Sequence, residues 1–94
     1  MNVRLLRIES GSHNAASGGT FEVRVLVEVD TVPAWHVLHA TPRVLAGVEA
    51  TLLGASDALQ RLFQHEQVAL HRICKLVGEE LRGRDVRMPQ QIAA

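Results

Sequence analysis

Phe21-Glu22-Val23-Arg24-Val25-Leu26-Val27-Glu28-Val29 places Phe or Val at every odd position and mostly charged residues between them. A repeat of two with β-branched residues on one side is the pattern of a half-buried strand. Such one-faced strands are usual in antiparallel sheets, whereas parallel strands are covered on both faces and read as continuous apolar runs.

Reading outward, Val3 to Glu9 forms a short strand. Gly11 to Gly19 is a polar, glycine-bounded loop joining it to the valine strand. Asp30-Thr31-Val32-Pro33 marks a turn, because Pro33 removes a ladder donor. A third strand fits Ala34 to Ala40, with Trp35, Val37 and His39 on one face and His36 and Leu38 on the other.

The apparent period then changes. Thr41-Pro42 reads as a helix start, with Val44, Leu45, Val48 and Leu52 as its apolar stripe and Gly54 as its stop. Ser56 caps a second helix expected over Asp57 to Arg82, about 39 Å long at 1.5 Å per residue. Its stripe comprises Leu59, Leu62, Phe63, Leu70, Ile73, Val77 and Leu81, with Gly78 as a weak point in the last turns. Arg84 to Ala94 lacks periodicity and reads as a flexible tail. The expected class is α+β: a three-stranded antiparallel meander packed against two C-terminal α-helices, β-β-β-α-α. Residues 1–83 form its single domain.

The 94 residues allow one domain, and 47% apolar with 21% charged residues describes a folded chain. Ten basic and ten acidic residues cancel, which argues against general nucleic-acid or anionic-membrane binding. One cysteine excludes an internal disulfide framework and a cysteine-only metal cage. No run is long and apolar enough for a membrane span, and the charged start lacks the apolar core of a signal peptide. A cytoplasmic setting is therefore expected, and nine Arg to one Lys points to a bacterial, GC-rich coding bias.

Three segments carry a family likeness: Thr20-Phe21-Glu22-Val23, the passage Val37-Leu38-His39-Ala40-Thr41-Pro42-Arg43-Val44-Leu45, and Leu59-Gln60-Arg61-Leu62-Phe63 followed by Leu70 and Ile73. Together they resemble the small bacterial domain of unknown function 1488 family over about two-thirds of the chain. The likeness rests on hydrophobic spacing. It implies a compact α+β fold and brings no catalytic motif. Glu66 and Gln67 depart from it, standing where the family tends to carry a basic or histidine pair.

Several residues invite a chemical role. Glu66 falls in the middle of the expected long apolar stripe, where an unpaired carboxylate is costly. It is read as ion-paired or solvent-reaching, or alternatively as a general base or ligand facing His39. His39 itself is expected at the rim of the core. His71 and Cys74, three apart on a helix, are neighbours, but two ligands make no metal site. No Gly-x-x-x-x-Gly-Lys or Gly-x-Ser-x-Gly motif is present, so no phosphate cradle or hydrolase nucleophile is expected. Arg82, Arg84 and Arg87 form a small basic cluster diluted by Glu79, Glu80 and Asp85. Leu26 interrupts the charged side of its strand, and Leu5 and Leu38 can lie beside it as an outer patch suited to self-association. The expected function is accordingly a non-enzymatic interaction module without cofactors, partnered by a second copy or another small protein. Ligand or metal binding through His, Glu and Cys is the alternative, with a nucleic-acid accessory role third.

Overall fold

A computed structural model describes residues 1–10 and 19–94; the expected glycine loop lies almost wholly outside the described residues. The elements are β1 (Val3–Ser10), β2 (Phe21–Val29), β3 (Val32–Leu45), β4 (Val48–Ala55), α1 (Asp57–Leu62), α2 (Gln67–Leu81) and β5 (Gln90–Ala93). The class is α+β as expected, but the sheet has five antiparallel strands, ordered β4-β3-β2-β1-β5. One additional strand comes from the expected first helix and one from the expected tail.

The valine strand behaves as its alternation requires. Val23, Val25 and Val27 are fully buried on the inner face, beside Val3 and Leu5 of β1 and Leu38 and Ala40 of β3. Leu59, Phe63, Ala69, Ile73 and Val77 cover them from the helix layer. Burying apolar side chains on both sides of this seam is the main source of stability, at roughly 25 cal/mol per Å² removed from water.

The stretch Thr41–Gly54 corrects the helix expectation. It continues β3, turns at Ala46-Gly47 and returns as β4, with Leu45 opposite Val48, Val44 opposite Glu49 and Thr41 opposite Leu52. Both turn residues have positive φ, 50° and 78°, as a two-residue hairpin turn of the right hand demands. Asp30 and Thr31 make the matching turn between β2 and β3, at φ 47° and 71°. A short apolar run such as Val44, Leu45, Val48 and Leu52 satisfies either period, so spacing alone could not separate them.

Both prolines of β3 fit this ladder. A two-residue turn is closed by a pair that exchanges two hydrogen bonds, and bonded and non-bonded pairs then alternate along the hairpin. Pro33 opposite Glu28 and Pro42 opposite Thr51 therefore both occupy non-bonded pairs. The nitrogen of Pro33 faces the side where β4 has ended, and that of Pro42 faces the side where β2 has not begun.

The expected single helix is two. Ser56 does cap α1, its hydroxyl accepting from the Leu59 amide at 3.3 Å, with Asp57 in the first turn. The helix stops at Phe63, and α2 begins after Glu66, whose φ of −135° and ψ of 54° lie outside the helical region. A straight rod would have to carry Glu66 into the apolar seam. The break instead makes Glu66 the N-cap residue of α2, without a side-chain cap bond. Gly78 tolerates its place: a Cβ there would meet only the Leu53 side chain, at 4.0 Å.

The expected tail is tied down. Gln90–Ala93 pairs with β1, Ile92 is buried, and Arg72 donates to the Ile92 carbonyl at 3.0 Å. Three residues and one isoleucine give no readable period, so this strand is set by its distant partner.

Candidate interaction surface

The helices cover one face of the sheet, and the other is open among the described residues. Its β1–β2 half is a charge grid: Arg4 pairs with Glu28 at 3.4 Å, and Glu9 with Arg24 and Arg7 at 3.0 and 3.2 Å. These pairs are partly exposed and each adds little to stability. The β3–β4 half is more apolar. Trp35, opposite Leu26, is 45% exposed, and Arg24 lies over its ring at 5.5 Å from the centroid. Leu52 and Val48 continue this face along β4.

The hairpin tip is open on both sides. Val44 on the helix side is 70% exposed and Val48 on the outer side 65%. Between β4 and the helices runs a trough. One part, about 700 Å³, is lined by Leu53, Gly54, Ala55, Arg61, Leu70 and Cys74 among others. A second part, about 360 Å³, shares Leu53 and Cys74 and adds Thr51, His71, Lys75 and Arg82. A separate groove of about 490 Å³ opens between α1 and the β2–β3 turn, with His36, Val32 and Leu62 at its walls.

The expected outer patch needs correction. Leu5 and Leu38 are fully buried, because the register sets Leu5 opposite Val27 and Leu38 opposite Val23 on the helix-covered face. Of the three leucines only Leu26 lies on the outer face, where its cross-strand neighbours are Trp35 and Arg7. The register adds Trp35 and the β4 residues Val48 and Leu52 to the outer face, the latter two from a segment whose spacing reads as helix.

His39 is also corrected from core rim to exposed outer face, opposite Glu22 and Gly54. Glu66, in the helix layer, is on the other side of the sheet, so the two cannot act together. His36 lies on the inner face, half-buried, and burial pushes its pKa below the usual 6.5. His71 and Cys74 stand side by side on the trough wall, and burial raises the thiol above its ordinary range. No group of three His, Cys, Asp or Glu suited to a metal occurs among the described residues. Arg82 is the C-cap of α2.

Searches against protein-family models, curated proteins and solved structures return no match.

Proposed function

We propose that the chain is a non-enzymatic interaction module that associates with a second copy of itself through the β4 side of its sheet. The observation that carries this reading is the exposure of Val44, Val48 and Leu52 on the β3–β4 hairpin, beside the open β4 edge. Apolar side chains gathered at one edge of a sheet, on both of its faces, favour association over isolation in water. A symmetric dimer is the commonest way to cover such a surface. The proposed setting is a bacterial cytoplasm, on the arginine-rich usage and the single thiol. No helix among the described residues is long and apolar enough to cross a membrane.

The test is sedimentation equilibrium over a concentration series, with Leu52→Glu and Leu26→Glu beside the wild type. A dimeric wild type and a monomeric, folded Leu52→Glu support the proposal. A wild type that stays monomeric up to the highest soluble concentration refutes it.

A further inference from the structure

We propose that the second copy adds its own β4 antiparallel to this β4, about a twofold axis through Thr51, making one ten-stranded sheet with both helix layers on the same side. The proposal deepens the self-association reading above and rests on it.

The hydrogen-bond phase of the hairpin leads to this register. Counting from the closing pair Leu45–Val48, the bonded pairs are Arg43–Ala50, Thr41–Leu52 and His39–Gly54. The bond from the Ser56 amide to the Val37 carbonyl, 3.1 Å, continues the same phase. Glu49, Thr51, Leu53 and Ala55 therefore turn their backbone N–H and C=O away from β3, toward the open edge. The Ala55 carbonyl is already taken by the side-chain amide of Gln60 at 2.8 Å. Glu49, Thr51 and Leu53 remain, and they are symmetric about Thr51.

A strand added about that centre pairs Thr51 with Thr51 and Glu49 with Leu53 of the other copy, each pair exchanging two backbone bonds. All three residues carry their side chains on the inner face, so the alternation of both strands is respected. Of the usual defences the edge carries one, the inward-facing charge of Glu49. It holds no Lys, no Pro and no register shift against β3.

Charge fits the same arrangement. Opposite Leu53, Glu49 of the second copy enters the trough lined by His71, Lys75 and Arg82, with Glu79 the one acidic group on that wall. Among the described residues Glu49, Lys75 and Arg82 have no ion-pair partner within the chain. By symmetry the complement forms twice. On the outer face Leu52 comes beside Ala50 and Val48 beside Gly54 of the other copy, extending the apolar half across the axis.

The experiment is disulfide trapping in a Cys74→Ala background. A residue on a twofold axis is the one that meets itself. Thr51→Cys would hold two Cα atoms about 5.5 Å apart, within disulfide reach. Glu49→Cys would hold its pair about 13 Å apart, four residues along the strand. The expected result is initial cross-linking at least tenfold faster for Thr51→Cys, together with an at least tenfold weaker dimer for Thr51→Pro with unchanged circular dichroism. Should Thr51→Pro fail to fold, the cross-linking ratio alone decides. If the wild type sediments as a dimer while Thr51→Cys cross-links no faster than Glu49→Cys, the register is wrong and self-association stands. If the wild type is monomeric throughout, both fall.

Discussion

Pro42 lies opposite Thr51 in the β3–β4 ladder, in a pair that asks neither residue for a hydrogen bond across the hairpin. A helix start and a strand can both use a proline, but only the strand explains its partner. The consequence is an edge whose amides at Glu49, Thr51 and Leu53 are directed outward.

Replacing Ala46 by Asn separates hairpin from helix. Ala46 holds φ at 50°, a conformation that costs an L-residue about 1 kcal/mol and that Asn adopts more readily. Ala46→Asn should raise the urea midpoint by the equivalent of about 0.5–1 kcal/mol with an unchanged slope. Were Thr41–Gly54 helical, the exchange would lower stability by about 0.5 kcal/mol, since Ala is the better helix former.

Glu66→Asp tests the helix break. Glu66 stands at the N-cap of α2 without a side-chain cap bond, and Asp is among the side chains best able to supply one. A gain of about 0.5 kcal/mol in thermal or urea unfolding is expected. A continuous helix would instead lose a few tenths of a kcal/mol, because Asp has the lower propensity.

The pH dependence follows from His36. Burial holds its folded pKa below 6.5, so the unfolded chain binds the proton more tightly. The contribution is fully present above pH 6.5 and is lost as pH falls from there through the folded value. Urea unfolding of the wild type between pH 7.5 and 5 should show stability falling in that window, and His36→Gln should flatten the slope. An identical slope in both proteins would contradict this assignment.

Much of the fold is legible in the sequence, and what is not has physical causes. The β2 valines, the start of β3 and the Ser56 cap are read from residues within one or two turns of each other. Val44 to Leu52 fits both periods because the apolar run is short, and the deciding signal is Gly47 with Ala46 between two valine-bearing stretches. The α1–α2 break hides because both helices keep nearly one apolar phase, and Glu66 is its trace. β5 is invisible because β1, some ninety positions away, creates it. Of the candidate surface, alternation alone places Leu26 on the outer face, whereas the faces of Leu5 and Leu38 depend on a register that no local pattern carries.

Charge reversal probes the proposed assembly from another side. Glu49→Lys should weaken the dimer several-fold at low salt, and Lys75→Glu in the same chain should restore part of the loss. Concentration-dependent sedimentation of the two single variants and the double variant reads the coupling. No coupling between the positions would remove the trough from the interface.

The most direct test of the central claim is amide hydrogen exchange at Glu49, Thr51 and Leu53, read residue by residue in concentrated and dilute protein. On the proposed assembly these three amides are protected when concentrated and exchange freely on dilution, while Ala50 and Leu52, bonded to β3, stay protected in both. Free exchange of the three at every concentration would contradict it.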